Sequence, residues 1–299
     1  MDSQDYCSTT YKSSWCEPKI KDSQSDIIER YKYFNLLHHI DYHNSLSNDR
    51  LYPLKIQNSL TRSKVRFIPK DPSRVLWYQC GPTVYADSHM GHARTYVGLD
   101  VLRRIMEDFF GFNIILCQNI TDVDDKIIIK SSEQKIDFRS LASRYEEEFF
   151  EDMAKLGVQM PDIVTRVSEF IPQIINYIND LIVKGIAYES NGSVYFNTKA
   201  FEIAGHVYGK LMPEQIGNSD LLAEGEGALT SNDDKKNPTD FVLWKKTKLH
   251  TDGVIEPAWE SPWGNGRPGF EFPRPHPYPT PTPLDFNHFN NFEFKILKF

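Results

Sequence analysis

Two histidines three residues apart, His89 and His92, stand around Gly91 at the point where the sequence turns helical. At the mouth of a helix both imidazoles can donate to a phosphate oxygen. The helix adds N–H groups and a partial positive charge of its own. That arrangement suits ATP, whose α-phosphate gathers charge as an acid attacks it and pyrophosphate leaves. Gly91 leaves room for an adenine ring to lie against the backbone. Cys80 closes a run of apolar and aromatic residues, at the strand end where ligands bind in open α/β sheets. A lone thiol is as readily a small buried hydrophobe, and no CxxC or HxxxH lies near it to complete a metal site. Cys117 reads as core. Asp122, Asp124 and Asp125 could cap a helix or hold a substrate ammonium, and capping is the reading for at least one of them.

The elements that must position these groups are legible around them. Val75 to Cys80 reads as a central parallel strand, broken at Gly81-Pro82. From Arg94 to Phe110, apolar Val97, Val101, Leu102, Ile105, Met106 and Phe109 recur at helical spacing, with Gly111 as the stop. Asn113 to Ile120 is a second buried strand, so the stretch forms a βαβ unit. Upstream, Leu54 to Leu60 reads as a short edge strand followed by a turn over Thr61 to Lys64. Downstream, Phe138 to Leu156 and Val167 to Lys184 are amphipathic helices, the second closing at Gly185. Ala187 to Phe196 carries a hairpin signature turning at Asn191-Gly192. Residues 213 to 239 read as a loop, and Phe241 to Lys246 and Trp259 to Gly269 as a return to dense structure. Every second residue from Pro273 to Pro283 is proline, which forbids a central strand there.

With 299 residues, the chain suffices for one large domain with an insertion, or for two domains. Its 40% apolar and 25% charged content is that of an ordinary globular protein. The formal charge of −7 argues against nonspecific coating of nucleic acid, DNA included, without excluding a local basic face for one RNA. No run of the sequence is long and apolar enough to span a membrane. The N-terminus lacks the order of a signal or transit peptide. Four scattered cysteines make no disulfide framework, which points to a reducing, cytoplasmic setting.

Four stretches together carry a resemblance. Cys80-Gly-Pro-Thr-Val-Tyr85, Ser88-His-Met-Gly-His-Ala-Arg-Thr-Tyr96, Gln118-Asn-Ile-Thr-Asp-Val-Asp-Asp-Lys126 and Gly266-Arg-Pro-Gly269 resemble cysteinyl-tRNA synthetase, and the lead-in Gln57 to Lys64 resembles its eukaryotic cytosolic branch. The resemblance runs from about Leu54 to Gly269. It implies an α/β fold: a class I Rossmann-type nucleotide-binding domain, here without its second half, with an inserted, mainly helical connective domain. The expected organisation is a polar extension over 1–50, the first half of the catalytic domain over 51–126, the connective insertion and return over 127–269, and an unrelated Pro/Phe-rich tail over 270–299. The implied substrates are L-cysteine, ATP with Mg²⁺, and tRNA(Cys). Carried over by position, His89 and His92 are the catalytic histidines of the family's HIGH motif and bind ATP together with Gly91. Gly81, Thr83 and Thr121 line the cysteine pocket, and Cys80 is a zinc ligand. A metal that binds the substrate's sulfur would reject serine, a discrimination that packing alone supplies poorly.

The departures matter equally. Arg274 stands where the resemblance expects a second zinc cysteine, and the later His and Glu ligands, the KMSKS loop and the anticodon-binding region have no counterpart. The resulting expectation is a cysteine--tRNA ligase by descent that catalyses weakly or not at all by itself. Rival readings are a noncatalytic module that binds ATP or a partner, and a cysteine ligase acting on an amino-sugar. The eukaryote-like lead-in and the Gly-rich insertion argue against the second rival.

Overall fold

A computed structural model of the chain describes residues 54–69, 73–209, 211, 234–248 and 256–269. The expectations for residues 1–50, for most of the 213–239 loop and for the proline-rich tail lie outside the described residues. The chain divides into two compact units.

The described part of the smaller unit centres on a hairpin. Strands β1 (Lys55–Asn58) and β2 (Ser63–Arg66) pair antiparallel, Lys55 opposite Arg66 and Asn58 opposite Ser63. The turn between them is held by the Asn58 side chain, which accepts from Leu60 N–H at 2.8 Å. A five-residue π-helix, Ile105–Phe109, belongs to the same unit and ends at Phe110. Buried Phe67 meets Phe112 edge-on at 5.3 Å.

The larger unit holds a parallel sheet of strand order β3 (Val75–Gln79), β4 (Ile114–Ile120), β5 (Ile163–Arg166). Helix α1 (Met90–Arg104) connects β3 to β4, and α2 (Asp125–Gln134) and α3 (Phe138–Lys155) connect β4 to β5. β4 pairs with β5 from Cys117 opposite Ile163 to Ile120 opposite Arg166. The sheet therefore runs on past Lys126, where the sequence reading sets the boundary of the insertion, and a second crossover follows the first. α2 and α3 cover the sheet through Ile120, Ile127, Leu141, Ala142 and Tyr145, all buried. Asp162 joins the edge strand to its neighbours, accepting from Leu116 N–H at 2.7 Å and from the Arg103 guanidinium at 3.0 Å.

Beyond β5 the expectation of a mainly helical insertion gives way to a four-stranded antiparallel sheet, ordered β6 (Ala187–Ser190), β7 (Ser193–Phe196), β8 (Phe241–Lys246), β9 (Gly266–Pro268). The hairpin β6–β7 turns at Asn191 and Gly192, both at positive φ (52° and 83°), which gives the turn its expected hand. Helix α4 (Ile171–Val183) packs on this sheet, and the short α5 (Thr198–Ile203) follows β7. α4 is rich in isoleucine, a modest helix former. Its helix survives because Ile171, Ile174, Ile178 and Leu181 are buried against Val194, Leu243 and Trp244. Each such side chain contributes about 1.5–3 kcal/mol on burial, well above the few tenths lost in propensity. Ahead of α4, Val167–Phe170 is a 3-10 turn and not the first turn of the α-helix. Among the described residues no helix is long and apolar enough to cross a membrane.

Candidate active site

The histidine loop is a helix cap. His89 stands at the N-cap of α1: its carbonyl accepts the first helical bond, from Ala93 N–H at 3.1 Å. Its own Nδ1 accepts from Gly91 N–H at 3.0 Å. His92 reaches back, its Nδ1 accepting from His89 N–H at 3.3 Å. This resembles a capping box made with imidazoles in place of the usual hydroxyl and carboxylate, except that the N-cap side chain takes the N–H of the second helical residue and not the third. The rings stack with centroids 4.0 Å apart and planes 15° apart. A Cβ at residue 91 would meet the His89 ring within 3 Å, so Gly91 makes room first for that imidazole.

This geometry fixes a tautomer. A backbone N–H can only donate, so each Nδ1 is an acceptor and each neutral ring carries its proton on Nε2. Two parallel Nε2–H donors at a helix N-terminus suit an anion. The His92 pKa is lowered, first by burial and then by the neighbouring His89, which keeps that ring a neutral donor.

The sheet end supplies the other candidates. Cys80 and Gly81 follow β3, and Thr121 follows β4; a parallel bridge between Thr83 and Thr121 carries the contact past the strand ends. Thr121 N–H donates to the Pro82 carbonyl at 3.1 Å, and Val84 N–H to the Thr121 carbonyl at 3.3 Å. Gly81 is obligatory here, because a Cβ would overlap the Asn119 carbonyl oxygen. Asn119 is buried and works with both ends of its amide. Its Oδ1 accepts from Gly81 N–H at 3.0 Å and from the Tyr78 hydroxyl at 2.9 Å, and its Nδ2 donates to Thr121 Oγ1 at 3.4 Å. The structure thus brings Cys80, Gly81, Thr83 and Thr121 together at one sheet end. His89, Gly91 and His92 form a second group at the start of α1. Tyr96, one turn beyond His92, joins the groups through its hydroxyl, which donates to the Cys80 carbonyl at 3.1 Å.

The three aspartates take three structural roles. Asp124 caps α2, accepting from Lys126 N–H at 2.8 Å. Asp122 accepts from the backbone and the hydroxyl of Ser168. Asp125 is buried in a charge cluster, taking Lys245 Nζ at 2.8 Å and an Arg267 nitrogen at 3.1 Å, while Arg267 also binds Glu256. Arg267 lies in the Gly266-Arg-Pro-Gly269 stretch, so two stretches distant in sequence meet through a buried ion pair. Tyr96, Asn119 and this cluster are what sequence reasoning missed. The first two sit inside quoted motifs but show no chemistry of their own; the cluster pairs residues 142 apart.

The described residues do not fit a zinc site. Among them no group of three or more His, Cys, Asp or Glu side chains could hold a metal ion, and Cys80 offers one ligand where a structural site needs four.

A parallel sheet whose strands are joined by helical crossovers, with a histidine-capped helix beginning beside one strand end, is an α/β arrangement of the Rossmann-like kind. A family model described as the catalytic domain of class I (C) tRNA synthetases matches residues 66–272, and the chain belongs to that family. The cytoplasmic cysteine--tRNA ligase of Dictyostelium discoideum is 52% identical over 223 residues, covering 73% of this chain and 33% of the relative. The cysteine--tRNA ligase of Encephalitozoon cuniculi is 43% identical over 217 residues (73% and 42%), and the cytoplasmic enzyme of Mus musculus 35% over 321 (73% and 38%). The chain therefore spans between a third and about two fifths of the length of these curated relatives.

Proposed function

We propose that the described residues form the ATP-binding wall and the floor of the cysteine pocket of a cysteine--tRNA ligase acting in the cytoplasm. In that reaction a cysteine carboxylate oxygen attacks the α-phosphorus of Mg²⁺-bound ATP, pyrophosphate leaves, and the cysteinyl group passes to tRNA(Cys). His89 and His92 serve as neutral Nε2–H donors to the phosphates, and Gly91 faces the adenine. Gly81, Thr83 and Thr121 surround the amino acid, with Cys80 beside its thiol. In this reading the connective insertion begins after Arg166, because β5 still belongs to the parallel sheet. The observation that carries this reading is the link from the histidine cap, through Tyr96, to the Cys80–Gly81 strand end. Support for the amino acid's identity comes from the names of the relatives.

The test is calorimetric titration of the purified chain with a non-hydrolysable cysteinyl-adenylate analogue (the cysteinyl sulfamoyl adenosine). Binding that ATP displaces, and that His92→Ala weakens, is expected; no binding by the parental chain overturns the reading. Cysteine-dependent ATP–pyrophosphate exchange is expected near background, because Cys80 by itself supplies one ligand of the four-ligand zinc site that the resemblance implies. Robust exchange with stoichiometric zinc would refute that part. Analogue and ATP binding without exchange fits the second reading, a noncatalytic ATP-binding module.

A further inference from the structure

One peptide unit at the end of β3 is gripped from both sides by side chains. The Cys80 carbonyl accepts from the Tyr96 hydroxyl of α1 at 3.1 Å. The N–H of the same unit, on Gly81, donates to Asn119 Oδ1 of β4 at 3.0 Å. Because a backbone N–H can only donate, the Asn119 amide has one orientation, and its Nδ2 is left to meet Thr121 Oγ1. Both gripping side chains are themselves fixed. Tyr96 is 5% exposed, with its ring packed edge-on against Phe149 at 5.0 Å and beside His92 at 6.5 Å. Asn119 is 3% exposed and takes a further bond from Tyr78.

A peptide unit held on neither side can shift and carry its flanking α-carbons with it, and the Cys80 α-carbon is the root from which the thiol projects. Fixing the carbonyl and the N–H from opposite elements removes that shift. We infer that Tyr96 and Asn119 are positioning residues that aim the Cys80 thiol and hold Gly81 and Thr121 at a fixed separation, so that the amino-acid pocket is set from the phosphate-binding helix. This rests on the proposal that Gly81 and Thr121 border the amino acid. Neither residue touches substrate in this scheme; each acts through the peptide it holds.

The experiment reads Cys80 directly in the full chain. Native protein is alkylated with iodoacetamide and the rate at Cys80 followed by peptide mass spectrometry, with Cys117 as the internal reference. Tyr96→Phe deletes one hydroxyl and keeps the ring packing; Asn119→Ala deletes the other hand of the grip. Each is expected to speed Cys80 alkylation by roughly two- to tenfold, the factor that one net hydrogen bond supplies, and to leave Cys117 unchanged. Affinity for the cysteinyl-adenylate analogue falls by a similar factor, while ATP affinity stays within about twofold. Asn119→Asp, which keeps an acceptor for Gly81 N–H, retains the parental alkylation rate. Tyr188→Phe, which loses a buried hydroxyl bonded to Asp240 in the other sheet, changes neither reading. Parental alkylation in both Tyr96→Phe and Asn119→Ala overturns the inference. Failure of the parental chain to bind the analogue overturns the functional proposal instead, and the alkylation rates then decide the grip alone.

Discussion

Replacing Asp125 by asparagine removes one charge from a buried set of four. The Asp125 side chain is 4% exposed, Arg267 2%, Glu256 1% and Lys245 9%. Two anions balance two cations, and Asp125 holds both cations at once. Without the Asp125 charge, Glu256 still pairs with Arg267, and Lys245 loses that carboxylate partner. Removing one partner from a buried ion pair costs about 3–5 kcal/mol. The asparagine keeps one acceptor oxygen, which puts the loss near 3 kcal/mol, a large fraction of the roughly 5–15 kcal/mol that holds a domain folded. At a urea m-value of about 2 kcal/mol per molar, the midpoint falls by about 1.5 M. Tryptophan fluorescence is a suitable probe, because buried Trp244 adjoins Lys245 in β8.

The pH dependence makes this prediction sharper. Burial holds the Lys245 pKa below the ordinary lysine value; Asp125 opposes that shift and Arg267 adds to it. A lysine with a lowered folded pKa destabilises the fold in full below that pKa, and the penalty fades between it and about 10.5, so stability rises as pH increases through that window. Deleting Asp125 lowers the folded pKa further and starts the rise at lower pH. The gap between variant and parent should therefore narrow from pH 7 to pH 9.5. Adding Lys245→Met leaves Arg267 and Glu256 as a neutral pair, and part of the lost stability should return. A midpoint within about 0.3 M of the parent, a gap that does not narrow, or a double variant less stable than Asp125→Asn would each refute the reasoning.

Three further outcomes are expected. Gly81→Ala drives a Cβ into the Asn119 carbonyl oxygen and should cost several kcal/mol, about 3 or more, seen as a lowered melting temperature by circular dichroism; a melt equal to the parent's contradicts the close approach. His92 should titrate below 6.5 when its ring Cε1–H shift is followed by NMR, since burial and His89 both lower its pKa. Its contribution to stability is complete above pH 6.5 and is lost as pH falls from there toward the folded value; a midpoint at or above 6.5 contradicts the burial of this ring. Asp124→Ala removes the α2 cap and should cost about 1 kcal/mol in urea denaturation, whereas Asp124→Ser should recover most of it.

The sequence made the first crossover legible because its signals are local. The β3 run, the apolar spacing of α1, the stop at Gly111 and the Asn191-Gly192 turn each declare themselves within a few residues. β5 escaped because Ile163–Arg166 is too short to show alternation and lies between two helical patterns. α4 starts four residues after the expected Val167 because Glu169 closes a 3-10 turn there, accepting from Arg166 N–H at 3.2 Å and from the Arg166 guanidinium at 2.9 Å. The sequence points to a mainly helical insertion because β8 and β9 show no sheet signal until β8 pairs with β7, which lies far from both in sequence. At the site, residue types announced the histidines and Thr121. What holds them was hidden, since a tyrosine hydroxyl or an asparagine amide has no signature until its partner is in place.

The placement of the motif residues separates two kinds of importance. Asp122, Asp124 and Asn119 spend side-chain atoms on backbone N–H groups of this chain, and Asp125 and Arg267 meet in a buried ion pair. Substituting any of these five loosens the scaffold before it alters chemistry, so lost activity there would say little about catalysis. His89 and His92 differ: each spends Nδ1 on the cap and keeps Nε2–H for another acceptor. Thr121 accepts from Asn119 through its oxygen and retains its own proton to donate. In the proposed function, a ligand that carries phosphate and carboxylate oxygens meets those remaining donors, at a helix mouth and at a sheet end joined by the Tyr96 hydroxyl. The scaffold residues therefore set the spacing of the donors, and the donors set which ligand that spacing can hold.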